Sequence, residues 1–274
     1  MEIRKNADYT VLVGESVQDV GRFLASTAPV WYNVSSKRNT ATTAWDLNAG
    51  WDGAVRMATE GWSEGAQRLG EILNVLMPPN DKETETRYDV AGHWPDVSRY
   101  VAGDPACMVR RGRTHGHPPV VNIVVAATAS GGVPASAYAN FGAAMTNVID
   151  RIEAGGRRVE LWVMFPNAFR SGVRGLVGWK VKAADEHCDL ASIAFSIGHP
   201  AAYRRFGFGL WERTEARNYS IGHGTCTPFT KADAAHLYME EPIIINGDGF
   251  KLAEGCPTPQ AAVKWVRDQI NAAA

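Results

Sequence analysis

The chain has 274 residues, enough for one large domain or for a domain with an appendage, because domains usually contain about 100–200 residues. Its 45% hydrophobic and 21% charged residues are typical of a folded soluble protein and exclude a disordered chain. The net charge of -1 excludes a strongly basic nucleic-acid coat and an acidic tail protein, although a local basic patch is compatible with it.

The sequence lacks a secretion signal and a membrane-spanning run, and both observations bear on the cellular compartment of the protein. The N-terminus lacks the apolar core and small-residue cleavage site of a secretion signal. The longest apolar runs are far shorter than the roughly 20 residues that cross a bilayer. We therefore expect a cytoplasmic protein with no membrane partner.

The first 105 residues are predicted to form a mainly helical, tryptophan-rich region. Ser16 is a suitable N-cap for a helix over 16–27, since its hydroxyl can accept a bond from a free backbone amide. A second helical zone is predicted over 51–77, interrupted at Gly61. Its second half presents about one apolar stripe, which is too little to form a core alone. We therefore expect residues 1–105 to pack on the rest of the chain rather than fold independently.

From residue 106 onward, strand-like apolar runs alternate with helical patterns. This alternation predicts an α/β domain over 106–274, with a doubly wound, mainly parallel sheet that carries helices on both faces. The run at 120–127 is apolar almost throughout, as in strands buried on both faces. The predicted strands are 120–127, 157–165, 178–185 and 242–246, and the predicted helices are 136–154, 189–198, 199–213 and one beginning at Thr258.

Part of this domain resembles the von Willebrand factor A domain, a Rossmann-like family. The strand VVNIVVAATAS, the helix YANFGAAMTNVIDRIEAGG and the strand RRVELWVMF reproduce the order and lengths of its elements. The family's first strand ends in the metal motif Asp-x-Ser-x-Ser. Here Thr128 stands at the position of the Asp, Ser130 matches the first Ser and Gly132 stands at the second. The resemblance implies a von Willebrand A-like fold over about 118–274.

The predicted strand ends carry oxygen-bearing side chains that suit a hard cation such as Mg²⁺. In an open α/β sheet, ligands bind outside the carboxyl ends of the strands. Because the residue at the family's Asp position has no carboxylate, we expect no tightly held Mg²⁺ and no other cofactor; helix capping and turn formation also account for these residues. The candidate metal ligands are Thr128, Ser130, Asp185, Asp189 and Asp248.

Two arginine clusters form a candidate nucleic-acid site. Arg110, Arg111 and Arg113 precede the first strand of the domain, and Arg204 and Arg205 lie on a predicted helix. Arginines beside aromatic side chains can hold phosphates and stack on bases. A solvated basic face is the alternative interpretation. The nucleic-acid hypothesis requires both clusters to share one exposed face.

The segments GWDGAVRMATEGWSEG, DVAGHWPDVSRYVAGDP and HPAAYRRFGF are similar to a tailed-phage protein family without an assigned activity. This similarity implies a phage origin, and action in the host cytoplasm or in the virion. The leading hypothesis is a non-enzymatic interaction or assembly module that binds a protein partner through the strand-end face and the tryptophan-rich region, with homo-oligomerisation left open. The alternatives are a nucleic-acid-binding accessory protein and a metal-dependent hydrolase or nucleotide-handling enzyme; no enzyme motif identifies a catalytic residue.

Overall fold

A computed structural model describes residues 1–5, 8–31, 46–76, 86–92, 94–111, 119–169, 172–214 and 225–273. The chain divides into two compact units, a main unit (Met1–Leu76 with Val120–Ala274) and a small unit (Met77–Pro119). The strands are β1 (Glu2–Lys5), β2 (Tyr9–Gly14), β3 (Thr86–Asp89), β4 (Trp94–Pro95), β5 (Met108–Arg111), β6 (Val120–Ala126), β7 (Arg158–Ala168), β8 (Arg174–Lys182), β9 (Thr225–Cys226) and β10 (Ile243–Asn246). The α-helices are α1 (Val17–Ser26), α2 (Gly50–Glu60), α3 (Ser63–Leu76), α4 (Val97–Val101), α5 (Ala135–Ala154), α6 (Leu190–Ser196), α7 (Phe208–Trp211), α8 (Lys231–Ala235), α9 (Lys251–Gly255) and α10 (Pro259–Ala273).

The main unit is built on a seven-stranded sheet. Its order is β1-β2-β8-β7-β6-β10, and β9 pairs with β7. The pairs β2–β8, β7–β6 and β6–β10 are parallel, whereas β1–β2 and β7–β8 are antiparallel. The predicted α/β class is thus confirmed, but the sheet is mixed. Only residues 169–173 separate β7 from β8, and a link this short can join only antiparallel strands.

The N-terminal region contains strands as well as the predicted helices. Strand β2 pairs in parallel with β8, from Tyr9 opposite Arg174 to Gly14 opposite Trp179. The helix predicted at 16–27 is present as α1, and the Ser16 side chain accepts a bond from the Asp19 amide. The boundary predicted at 105/106 does not coincide with the division into units, because β2 completes the sheet of the main unit.

Both faces of the sheet are covered by core. Along β6, Ile123 and Val125 belong to one hydrophobic cluster, whereas Val124 and Ala126 belong to a second. Side chains alternate between the two faces of a strand, so β6 is buried on both faces, as its apolar run predicted. Residues of the first cluster come from both ends of the sequence and include Leu12, Leu24, Trp51, Leu69, Phe141, Trp179, Phe206 and Trp211.

The predicted helix at 199–213 contains an irregular turn. Residues Ala202–Gly207 form a π-helix that continues into α7. All six residues of this π-helical segment are buried, including Arg204 and Arg205. A π-helical turn is wider than an α-helical one and often marks a functional or strained position.

The small unit is described by β3, β4, β5 and α4. Strand β5 lies between β3 and β4 and pairs antiparallel with both. Asp96 caps the N-terminus of helix α4, and its side chain accepts a bond from the Arg99 amide.

Within the described ranges, none of the helices has the length and apolar character needed to cross a membrane.

The fragments 1–105 and 106–274 should both fail to fold when they are expressed separately. The first lacks β8, the partner of β2, and the second lacks Leu12, Leu24, Trp51 and Leu69 of the shared core. Near-UV circular dichroism and thermal melting test this, with the full chain as the reference. A sharp independent transition in fragment 1–105 would contradict it.

Candidate functional site

The carboxyl ends of β6 and β10 meet at one edge of the sheet, as predicted. Asn246 pairs with Ala126 in the parallel ladder, and Ala129 and Gly249 form a further bridge beyond it. The amide of Ser130 donates to the carbonyl of Gly249 at 2.7 Å. The segments that carry Thr128, Ser130 and Asp248 are therefore held together by backbone hydrogen bonds.

Asp185 and Asp189 lie at the opposite edge of the sheet. Because β8 runs antiparallel to β7, Lys182 at the end of β8 stands opposite Leu161, near the beginning of β7. The side chain of Asp189 caps α6 and accepts bonds from the amides of Ala191 and Ser192. The five predicted metal ligands therefore do not converge. The prediction placed them together because it treated β8 as another parallel strand.

The buried guanidinium of Arg204 lies against the loop at 128–132 that follows β6, which we call the strand-end loop. Nη2 of Arg204 donates to the carbonyl oxygens of Ser130 at 2.8 Å and Gly131 at 3.1 Å. Nearby, Asp248 is paired with Lys251 at 2.9 Å, and Thr128 is fully buried. A metal ion there would meet the positive charges of Arg204 and Lys251, and the carboxylate of Asp248 is already paired, so these residues fit a cation poorly. Among the residues that the structure describes, no group of three His, Cys, Asp or Glu side chains could hold a metal.

Arg205, which was predicted with Arg204 as a nucleic-acid-binding residue, is also buried. Arg205 is 1% exposed and Asp46 is fully buried, and Nε of Arg205 donates to Oδ2 of Asp46 at 2.6 Å. Neither Arg204 nor Arg205 therefore lies on the exposed face that the nucleic-acid prediction requires. Arg113 and the side chains of Arg110 and Arg111 lie outside the described residues.

A pocket in the main unit was not predicted. It measures about 550 Å³ and lies between the turn before α2, the junction of α2 with α3, and His199. In its wall, Leu47 and Asn48 have φ angles of 55° and 57°. Positive φ is uncommon for a bulky residue such as Leu47 and costs on the order of 1–3 kcal/mol, whereas asparagine adopts it more readily. The Asn-Ala-Gly turn that precedes α2 is the only local sequence signal for this geometry.

His199 lines this pocket and is itself almost completely buried. Its ring is 4% exposed, and Nδ1 accepts a bond from the Ala201 amide at 3.0 Å, which leaves the proton of the neutral ring on Nε2. Trp62 contacts the ring edge to face, with centroids 4.6 Å apart. Burial lowers the pKa of His199 to about 4, and the charge of Asp46 opposes this shift only in part.

Helix α4 of the small unit turns its apolar residues toward solvent. Val97, Tyr100 and Val101 are spaced i, i+3, i+4, which places them on one side of the helix, and they are 69%, 69% and 80% exposed. We call these three residues the α4 surface. On another side of the helix, the Arg99 guanidinium lies 3.8 Å from the Tyr88 ring centroid, and Asp96 accepts a bond from the Tyr88 hydroxyl.

An aromatic row lies on the small sheet. Tyr88 on β3 and Trp94 on β4 both stand opposite Val109 on β5. Opposed residues of antiparallel strands point to the same face, so the three side chains are neighbours. Val109 is buried, whereas Tyr88 and Trp94 are 38% and 46% exposed. The small unit thus exposes aromatic rings on its sheet as well as the α4 surface.

Replacing Asp46 should destabilise the main unit strongly. The D46A variant removes the carboxylate from a buried ion pair with Arg205, which should cost about 3–5 kcal/mol of unfolding free energy. In the matched control D268A, the lost partner Lys264 is exposed and the cost should be about 0–1 kcal/mol. Urea unfolding measures both, and equal effects would contradict the burial of the Arg205 pair.

His199 should make stability fall as the solution is acidified from pH 6.5 to 4. In this range the unfolded chain binds a proton at His199 and the folded chain does not, so unfolding becomes more favourable by about 3 kcal/mol at pH 4. Above pH 6.5 the group is neutral in both states and contributes no slope. Urea unfolding at several pH values should show a shallower dependence in H199Q than in the natural chain. Parallel curves would argue against a buried neutral His199.

One family model matches a stretch of the chain that contains the pocket, the α4 surface and the aromatic row. The model, described as a domain of unknown function (DUF7192), matches residues 5–254. No curated protein and no solved structure matches the chain. Since the family model covers more than half of the sequence, the chain belongs to the DUF7192 family.

Proposed function

We propose that this protein is a non-enzymatic binding module that recognises a partner protein through the small unit. The observation that carries the proposal is the solvent-facing apolar side of α4, formed by Val97, Tyr100 and Val101. A short surface helix normally turns such residues inward. Here Asp96 and Arg99 make the contacts with Tyr88, and the apolar residues are left outside.

The exposed side chains have the composition of a protein interface. Tyr100 on the α4 surface, and Tyr88 and Trp94 on the sheet, belong to the residue types that contribute most at interfaces. Tyr100 is flanked by the exposed Val97 and Val101, so it can act as the aromatic anchor of an apolar contact. Obligate dimers bury larger areas, so we assign this surface to a separate, reversibly bound protein.

The same surface is poorly suited to nucleic acid. Affinity for nucleic acid depends mainly on cationic contacts with phosphates. Valine side chains provide neither charge nor hydrogen bonds, and the cation of α4, Arg99, is already paired with Asp104 at 2.9 Å. An apolar partner surface is the better complement.

The proposal extends to origin and fold subtype. We propose that the module is phage-encoded and acts in the host cytoplasm or in the virion, on the basis of the three segments similar to tailed-phage proteins. For the main unit we propose a von Willebrand A-like organisation. The order β6, α5, β7, with α5 spanning Ala135–Ala154 and β7 parallel to β6, supports this assignment. At the strand ends, where the von Willebrand A family carries its metal motif, the guanidinium of the buried Arg204 binds a carbonyl oxygen of the loop instead.

A photo-crosslinking amino acid at position 100 tests the proposed surface in cells that naturally produce the chain. We expect one discrete protein adduct, whereas the same group at position 238, which is 80% exposed in the main unit, should give none. Titration of the purified adduct protein should then show binding at least about tenfold weaker for the V97D/V101D variant. The matched control is V75D, at an equally exposed valine of α3.

Two results would contradict the proposed function. One is equal crosslinking from positions 100 and 238, which would indicate nonspecific contact. The other is unchanged affinity of the V97D/V101D variant for the identified protein. Circular dichroism of each variant establishes that its fold is retained.

A further inference from the structure

We propose that the pocket beside His199 binds a small aromatic cation, meaning a planar ring that carries an ammonium group and a hydrogen-bond acceptor. The pocket volume of about 550 Å³ is within the range of small-molecule sites, about 300–1,000 Å³. This binding site is separate from the protein-binding surface of the proposed function, and its test does not depend on that function.

The pocket provides an aromatic wall for a planar ring. Trp62 lines the pocket, and its indole packs directly against Gly65 of α3. A Cβ atom at position 65 would clash with the indole ring. His199 contacts Trp62 edge to face and restricts its ring further. An aromatic cation would gain both stacking and cation–π attraction from an indole held in this way.

His199 provides a buried hydrogen-bond donor. The ring is neutral around pH 7, with its proton on Nε2, because Nδ1 already accepts the bond from Ala201. Among the described residues, that bond is the one hydrogen bond of the His199 side chain. A buried polar group of this kind favours a ligand with an acceptor atom that can reach His199.

The rim provides negative charge. Arg56, Glu60 and Glu64 line the pocket, and in the described part of the chain none of the three forms an ion pair. With His199 neutral, two carboxylates against one guanidinium give the pocket a net charge of -1. A ligand ammonium group would find carboxylate partners here, whereas an anionic ligand would be repelled.

The backbone of the pocket wall is preorganised without a ligand. Leu47 and Asn48 are held at positive φ, and the adjacent Asp46 is anchored by its buried pair with Arg205. Strained backbone that persists in a pocket wall is a recurrent feature of ligand sites, where it positions groups in advance. This strain and the unpartnered His199 donor are two independent observations at the same place.

Calorimetric titration of the full chain with three indole probes tests the proposal. 5-Hydroxytryptamine carries the ring, the ammonium group and an acceptor oxygen and should bind most tightly. Tryptamine lacks the oxygen that His199 would contact and should bind several-fold more weakly. 5-Hydroxyindole-3-acetate replaces the ammonium with a carboxylate and should not bind detectably.

Variants identify the site. W62A and E60Q/E64Q should each weaken 5-hydroxytryptamine binding about tenfold or more, whereas E254Q, at an exposed carboxylate on α9, should leave it unchanged. The E60Q/E64Q variant removes both carboxylates with little change of shape and changes only exposed positions, so it tests the charge of the pocket without disturbing the core. Absence of 5-hydroxytryptamine binding at millimolar concentration, equal binding of the acetate probe, or insensitivity to both variants would overturn the proposal.

Discussion

The five-residue connection between β7 and β8 constrains the arrangement of the main unit. It is too short for a crossover, so β8 must return antiparallel to β7. Strand β2 then aligns in parallel with β8, which incorporates the N-terminal segment into the sheet. The same reversal carries Asp185 and Asp189 to the edge opposite Ser130, and thereby separates the carboxylates from the strand-end loop. One short link thus determines the direction of β8 and places Asp185 and Asp189 away from Ser130.

Local patterns in the sequence predicted most of the elements but not how they are combined. The apolar run of β6, the Ser16 cap of α1 and the long helix α5 are local features, and the structure confirms them. The strands β1 and β2 escaped prediction, whereas β10, which is as short as β1, was predicted. Strand β2 pairs with β8, whose residues lie more than 160 positions away in sequence, and β1 pairs in turn with β2. Tertiary partners of this kind leave no periodic signal in the sequence.

The candidate sites illustrate the same limit. Adjacent arginines beside phenylalanines resemble an exposed basic patch, yet Arg205 is buried and pairs with the carboxylate of Asp46, 159 positions earlier. His199 was predicted only as a helix residue, and its role in the pocket depends on contact with Trp62. By contrast, the α4 surface is encoded locally, because Val97, Tyr100 and Val101 already form an apolar stripe. Only the structure shows that this stripe faces solvent rather than a core.

If the α4 surface binds the partner protein, it becomes covered when the protein acts. Hydrogen exchange measures this directly, since a five-residue helix has little stability of its own and its amides should exchange quickly in the free chain. In the purified complex with the crosslinked partner, amides of residues 97–101 should exchange at least about tenfold more slowly, while those of α10 remain unchanged. Unchanged exchange at 97–101, with protection confined to the strand-end loop at 128–132, would contradict the claim and place the partner on the sheet edge instead.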